Sequence, residues 1–232
     1  MSEKMYKQGE YLEKHPTWHI EDSPWKTKQL MKIIKRNHLQ PTSICEVGCG
    51  AGEILNQLYS QLPENIKFSG YEISPQAYAL CQQRKKERLQ FHLKNLFDDK
   101  EAFFDMALAI DLIEHIEDCF GFLRDLHKKA EYKIFHIPLE LSVQTVLRSK
   151  PILKSRQVVG HIHYFTKETA IAILEDTGYE VLDYFYTGSS IDLHANSFQT
   201  LFARLPRKIM YKLNKDIAVR ILGGYSLMIL AK

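Results

Sequence analysis

The sequence predicts an α/β protein built on a doubly wound, mostly parallel sheet. Short apolar runs alternate with helical patterns from about residue 23 onward, the rhythm of strands joined by crossover helices. The most apolar run, residues 105–110 (DMALAI), has apolar side chains for both faces, as a strand in the middle of a covered sheet needs. At 232 residues, 45% hydrophobic and 25% charged, the chain can build one core of ordinary size. Those proportions exclude a disordered chain, a collagen-like fibre and a disulfide-stapled mini-scaffold.

The elements follow in order. Ser23 and Pro24 read as an N-cap and first helical residue, opening a helix to about Asn37 with Leu30, Ile33 and Ile34 on one face. Thr42–Val47 reads as a buried strand running into a glycine turn. Glu53–Leu62 is amphipathic and stops at Pro63. Ile66–Tyr71 is the next strand, with Glu72 at its end. Ser74 and Pro75 start a helix running towards Leu89, and Gln90–Leu93 is a short strand. Asp105–Ile110 is the fourth strand, Asp118–Ala130 a helix, and Tyr132–Ile137 a strand closed by Pro138. Residues 139–165 read as a connection, Thr166 opens a helix ending at Gly178, and Tyr179–Tyr186 and Tyr225–Ala231 are late strands. A basic helical insertion fills residues 193–222 between them. One domain over 1–232 is expected, with an N-terminal lid or helix in 1–40 and insertions at 139–165 and 193–222.

Cysteines 45, 49, 81 and 119 show no C-x-x-C spacing and read as reduced thiols of a cytoplasmic protein. The polar start MSEKMYKQGE offers no secretory apolar region. Residues 221–231 are too short, and too broken by Gly223 and Gly224, to span a bilayer. The formal charge of +3 divides unevenly, about −2 over residues 1–140 and about +5 over 141–232. A basic C-terminal third suits an acidic partner or substrate.

The segment EVGCGAG (46–52) lies between a strand and a helix, where glycines let a ligand lie against backbone. A dinucleotide-binding G-x-G-x-x-G needs glycine at position 53, which is Glu53. The spacing is instead G-x-G-x-G with Glu46 ahead of it, and a carboxylate there suits a cationic ligand end better than a pyrophosphate. Glu72 ends the next strand, where an acid can accept both hydroxyls of a ribose, and Ile73 can pack on a flat base. Asn95 and Leu96 follow the third strand, and Asp111 and Leu112 the fourth. All four groups sit at carboxyl ends of strands, where doubly wound sheets bind ligands.

Together with YEIS (71–74), FDMALAIDLIEHIED (104–118) and HIHYFTKETAIAILEDTGYEV (161–181), this pattern resembles the class I S-adenosylmethionine-dependent methyltransferases over roughly residues 40–190. The resemblance implies a seven-stranded sheet whose last strand is antiparallel, S-adenosylmethionine as methyl donor and S-adenosylhomocysteine as product. Carried over, Glu46, Gly48, Cys49, Gly50 and Gly52 line the methionine end, Cys49 through backbone only. Glu72 is the ribose acid and Ile73 the adenine-packing residue. Asn95, where many members have Asp, and Leu96 meet the adenine. Asp111 and Leu112 lie under the sulfonium. Glu46 as a helix cap, Asn95 as a turn residue and Glu72 as a solvated strand end are the plain structural readings of the same residues.

A sulfonium activates its own methyl group, so the protein aligns nucleophile, methyl and sulfur. An oxygen or nitrogen acceptor of high pKa also needs a base, and histidine suits neutral pH. His115, His136, His161 and His163 follow strands four and five, and His161 is the leading candidate. Asp111, Glu114, His115 and His161 also resemble the metal-binding set of small-RNA 2′-O-methyltransferases and ubiquinone-pathway O-methyltransferases, with Asp111 where those have Glu. The resemblance implies a divalent ion lowering the acceptor hydroxyl's pKa; an E-H pair that only braces the loop is the commoner use. The aromatic N-terminus, Tyr6, Tyr11, Trp18 and Trp25 with His15 and His19, reads as a lid over the ligand or as a helix packed through its tryptophans.

For the acceptor, Arg148, Lys150, Lys154 and Arg156 form one basic cluster. Arg204, Arg207, Lys208, Lys212, Lys215 and Arg220 form another beside Leu201, Leu205, Ile209, Leu213 and Ile217 at helical spacing. A basic amphipathic helix can meet an acidic small molecule, RNA or an anionic membrane surface. A net +3 is low for a dedicated nucleic-acid binder. A small-molecule O- or N-methyltransferase leads, beside an RNA methyltransferase and a non-catalytic S-adenosylmethionine-binding scaffold.

Overall fold

The computed structural model describes residues 17, 18, 20–188, 192 and 198–232, the backbone alone for 198–204. A short 3-10 turn, Ile20–Asp22, leads into α1 (Ser23–Arg36). Then come β1 (Ser43–Val47), α2 (Glu53–Gln61), β2 (Lys67–Glu72), α3 (Pro75–Gln82), β3 (Leu89–Leu93) and β4 (Phe104–Ile110). The second half holds α4 (Cys119–His127), β5 (Ala130–Leu139), α5 (Val143–Arg148), α6 (Lys150–Val158), α7 (Lys167–Asp176), β6 (Val181–Thr187), α8 (Phe198–Leu213), α9 (Lys215–Leu222) and β7 (Tyr225–Ala231). The strands form a seven-stranded sheet in the order β3-β2-β1-β4-β5-β7-β6. β7 is antiparallel to both neighbours, and the other pairings are parallel, so the predicted doubly wound fold stands.

Strand order reverses between β1 and β4, so the loops after them diverge and leave a crevice. A latch at the opposite end fixes this pair. Asp105 Oδ2 accepts the backbone N–H groups of Thr42 (2.6 Å) and Ser43 (3.0 Å) and the Thr42 hydroxyl (2.7 Å). Period-two alternation sorts the side chains. Ala107 and Ala109 of β4 join α4 and α7 on one face, while Met106 and Leu108 join α1 and α2 on the other. Glu46 shares the parity of Ile44, so a carboxylate is carried to the α1 side at the strand's carboxyl end. Each large apolar side chain buried here contributes about 1.5–3 kcal/mol.

The structure corrects four sequence expectations. Ser23 is not an N-cap: the 3-10 turn runs straight into α1, so Asp22 takes the cap position without a side-chain bond. The helix from Pro75 ends at Gln82, well short of Leu89. Arg84 N–H closes a turn on the Cys81 carbonyl, its guanidinium reaches Glu53, and Lys86 pairs with Leu89 to aim the chain into β3. β5 passes through Pro138 instead of stopping before it. Asp111 N–H donates to the His136 carbonyl, so Pro138, two residues on, has its missing N–H on the side where β4 has already ended. Residues 139–165 are not a plain connection but contain α5 and α6, the first started by a Ser142/Thr145 capping box. Tyr6, Tyr11, His15, His19 and residues 193–197 of the expected lid and insertion lie outside the described residues. No helix among the described residues is long and apolar enough to cross a membrane.

Leu108 is fully buried in the central strand. Leu108→Ala is expected to lower unfolding free energy by about 2–5 kcal/mol, read from urea denaturation with an unchanged m-value.

Candidate active site

The turn after β1 is held from two directions. Gly48 and Cys49 donate their N–H groups to the Tyr71 carbonyl at 2.9 and 3.2 Å. Gly50 donates to Glu72 Oε2 at 2.9 Å. Gly48, Gly50 and Gly52 have φ of +66°, +55° and +76°, conformations that a side chain resists. At Gly50 a Cβ would stand 2.6 Å from the Trp18 ring, and at Gly52 2.5 Å from that of Phe91. The loop's narrow floor is thus roofed by one of the N-terminal aromatics.

Glu72 is neither solvated nor free. Oε1 accepts the N–H groups of Ile73 and Ser74, both at 2.8 Å, while Oε2 takes Gly50. Burial pushes its pKa up, and those three donors pull it back. Carboxylate lone pairs remain after three bonds, so the group can brace the loop and still accept from a ligand. Asn95 caps the short turn Leu96–Asp98 by accepting from Phe97 N–H at 3.1 Å, while its side chain also faces a cleft. Leu96 is fully buried, which leaves its backbone for any contact. Cys49 is buried with its thiol 3.9 Å from that of Cys81; that bond and burial push its pKa well up.

Two cavities meet over this loop. One, of about 390 Å³, is lined by Trp18, Lys26, Glu46, Glu114, Glu140 and His161 among others. The second, of about 440 Å³, is lined by Glu72, Ile73, Asn95, Leu96, Leu112 and Phe122 among others. Gly48, Asp111, His115 and Trp18 border both. Of the sequence-predicted site residues, Gly52 and His163 border neither; Gly52 packs against Phe91.

Glu46 is 3% exposed, and its Oε2 has no hydrogen-bond partner. Burial chiefly pushes its pKa up, to about 8, with Lys26 opposing and Glu72 reinforcing. A buried carboxylate oxygen left unpaired costs free energy until a donor arrives, and Glu46 faces a cavity from which one can come. It does not cap a helix.

Asp111 has φ +49° and bonds His136 Nδ1 at 2.6 Å and Lys26 Nζ at 2.7 Å. Burial opposes its charge, but His136 and Lys26 prevail and hold its pKa far below the usual carboxylate range. With both oxygens engaged by these partners, Asp111 of the expected four-residue metal set stands outside the group of three side chains that could share an ion. His136 is a brace, since Nε2 pairs with Thr187 Oγ1 at 2.8 Å. His163 is another, with Nε2 at 2.7 Å from the Ile116 carbonyl. Trp25 packs edge-on against His136 at 5.9 Å.

The other three members of that set do come together. Ile162 and His163 N–H groups donate to the Glu114 carbonyl, docking the distal segment on the turn after β4. His115 and His161 Nε2 each lie 4.0 Å from Glu114 Oε1, and the two rings meet edge to face at 4.7 Å. Glu114 is fully buried with both carboxylate oxygens unpaired. Burial, with Asp111 and Glu140 nearby, pushes its pKa well up. Burial first, then His161, lowers that of His115 to about 4, so its ring is neutral at pH 7. One carboxylate and two imidazoles within 4.8 Å of one another can grip a metal ion. His161 Nδ1 bonds Glu140 Oε2 at 2.8 Å and Ser155 Oγ at 2.9 Å. With Nδ1–H donated to the carboxylate, Nε2 is the basic atom, on the Glu114 side of a ring that lines the cavity. Sequence reasoning missed Glu140, Ser155 and Lys26. The available signal for Glu140 was its position: it directly follows the fifth strand and is the last acid before Glu168.

A family model described as "Methyltransferase domain" matches residues 21–184. Solved structures give the same fold. One is the cyclopropane synthase MmaA2 of Mycobacterium tuberculosis, with TM-score 0.60, 16% identity, and 88% of this chain and 84% of that one covered. Magnesium protoporphyrin IX methyltransferase from Synechocystis PCC 6803, solved with bound SAH, gives 0.59, 15%, 94% and 85%. A SAM-dependent methyltransferase from Archaeoglobus fulgidus gives 0.58, 16%, 93% and 99%. No curated protein sequence matches the chain.

Glu46 gives a test of the site's electrostatics that needs no ligand. Its pKa is raised on folding, so its charged form opposes folding increasingly as pH climbs from the usual carboxylate range through about 8. Glu46→Gln is expected to melt at the same temperature as the parent near pH 4 and higher at pH 9, the gap reaching on the order of a few kcal/mol. A pH-independent gap rejects the buried-charge reading.

Proposed function

The chain belongs to the methyltransferase-domain family, and from that premise we propose that it uses S-adenosylmethionine to methylate an oxygen or nitrogen of a small molecule, releasing S-adenosylhomocysteine. The observation that carries the proposal is the unpaired, buried oxygen of Glu46, facing the cavity at the glycine turn. An ammonium group is the donor that matches it in charge and hydrogen-bonding capacity. The other residues support the same occupant. Gly48, Cys49 and Gly50 offer backbone for a close approach, with Gly52 closing the turn behind them, Glu72 its remaining lone pairs to ribose hydroxyls, Ile73 an apolar face for adenine, and Asn95 with the Leu96 backbone polar groups for the base edge. Asp111 borders both cavities and Leu112 the second, where the reacting centre would lie. Trp18 and Trp25 roof the first cavity, which supports the lid reading of the N-terminal segment within one domain.

S-adenosylmethionine supplies a methyl group already activated by its sulfonium. The protein's part is alignment in a water-poor cleft and removal of the acceptor's proton. We assign the base to His161. Glu140 holds its Nδ1 side, so Nε2 accepts the acceptor's proton and the imidazolium that forms is stabilised by the same carboxylate, the dyad logic of catalytic histidines. A second reading is favoured by the unpaired Glu114 carboxylate. Glu114, His115 and His161 would hold a divalent ion that lowers the acceptor hydroxyl's pKa, with Glu140 orienting a ligand instead of a base. The basic surface around the cleft favours an anionic or amphipathic small molecule over RNA. Four buried thiols, none in a disulfide, suit a reducing compartment such as the cytoplasm.

Release of S-adenosylhomocysteine in the presence of candidate phenols, acids, amines and RNA tests the function. Any acceptor-dependent release supports it, and binding without turnover across acceptors returns the scaffold alternative. With an acceptor in hand, His161→Ala is expected to lower kcat by about 10²–10⁴-fold with S-adenosylmethionine affinity unchanged. Chelation then separates the readings. Turnover that survives EDTA leaves His161 as base, and turnover lost to EDTA and restored by Mg²⁺ or Mn²⁺ assigns the metal.

A further inference from the structure

The helices that follow β5 and β6 carry an apolar stripe that the packed core leaves exposed. α5 exposes Val143, Val146 and Leu147, the last at 81%. On α8, Leu205, Ile209 and Leu213 are exposed at a spacing of four, which is one face of a helix. Ile217 and Ile221 continue that spacing along α9. Single exposed aliphatics are ordinary, but a run of them over adjoining helices marks an interaction surface. The helices do adjoin: Arg207 of α8 donates to Gln144 of α5 at 3.2 Å and to the carbonyls of Leu222, the last residue of α9, and Gly223, both at 3.3 Å.

Cations surround the stripe. Arg148, Lys150, Lys154 and Arg156 are exposed on α5 and α6, and Lys208, Lys212, Lys215 and Arg220 on α8 and α9. The four helices contain one acid, Asp216, which already bonds Lys167 at 2.7 Å and Tyr186 at 2.5 Å. Arg220 is partly neutralised by Glu168 at 2.5 Å. The same structure frames the cleft, since Ser155 and Val159 line it and His161 follows α6.

Aliphatic side chains rimmed by lysine and arginine fit one class of surface well. A single-stranded RNA wants cations interleaved with flat aromatic side chains on which bases stack, and the exposed stripe is leucine, isoleucine and valine. A bilayer with anionic headgroups offers both complements at once, an acyl boundary for the stripe and phosphate charge for the cations. We infer that α5, α6, α8 and α9 form a platform that docks the protein on an anionic lipid surface, and that the methyl acceptor is an amphipathic molecule reached from that surface. The docking stands on the surface alone; the acceptor class rests on the methyltransferase reading proposed above.

The test is co-sedimentation of the full chain with vesicles of phosphatidylcholine, and of phosphatidylcholine with roughly one-third phosphatidylglycerol. Binding to the anionic vesicles is expected to exceed binding to neutral ones at least tenfold. The double variant Leu147→Glu, Leu213→Glu, both positions 81% exposed, is expected to lose at least tenfold in vesicle binding while keeping its melting temperature and its S-adenosylhomocysteine affinity by calorimetry. Equal sedimentation with and without anionic lipid overturns the platform, as does vesicle binding untouched by the double variant. Retention on single-stranded RNA at salt that releases the anionic vesicles overturns it in favour of a nucleic-acid surface. Vesicle binding in a protein that takes up no S-adenosylhomocysteine keeps the platform and removes the acceptor class together with the methyltransferase reading.

Discussion

Everything at the site depends on one carboxylate that the fold buries and leaves half unsatisfied. Strand parity turns Glu46 away from Cys45 and Val47 and towards α1, at the end of the strand where the order of the sheet reverses. Its 3% exposure denies it water, and its neighbours do not satisfy Oε2. A residue so placed lowers the stability of the empty protein. That cost is explicable as binding energy held in reserve for a cation, and the surrounding loop is shaped to admit one against bare backbone. The Asp105 latch and the Glu72 clamp make the placement rigid, one at each end of β1.

Around that point the molecule separates charges that the sequence lists side by side. Asp111 and Glu114 are three residues apart, yet one is held ionised by Lys26 and His136 while the other is pushed towards its neutral form by burial. The left-handed backbone at Asp111 turns the two side chains to different partners. Asp111 thereby ties α1 to the sheet beneath the cleft, and Glu114 stays available beside two imidazoles. The site thus has a structural carboxylate and a chemical one, distinguished by environment alone.

How much of this was legible in the sequence follows from how local each signal is. The glycine turn, Glu46, Glu72 and the alternation of β4 are read from adjacent residues, and they stand where expected. Boundaries failed where a distant partner decides them: Arg84 bonding Glu53 stops α3 early, and the end of β4 lets β5 continue through Pro138. Glu72 was legible as an acid at a strand end, but not as the clamp of three backbone donors, because those donors come from the folded shape of two separate loops. Glu140 was marked in the sequence only by its position, not by its role. Its meaning appears only when Ile162 and His163 bond the Glu114 carbonyl and swing His161 onto it. The apolar stripe of α8 was legible as periodicity; that it faces outward was not.

The most direct measurement is a calorimetric titration of S-adenosylhomocysteine into the ligand-free protein and into Glu46→Gln, at pH 7 in buffers of different ionisation enthalpy. The raised pKa of Glu46, about 8, means that the empty site holds a proton at pH 7 that an incoming ammonium must displace. The account predicts proton release on binding by the parent, and a variant that binds on the order of 100-fold more weakly with that release gone. Equal affinity and equal proton release in the two proteins would contradict it.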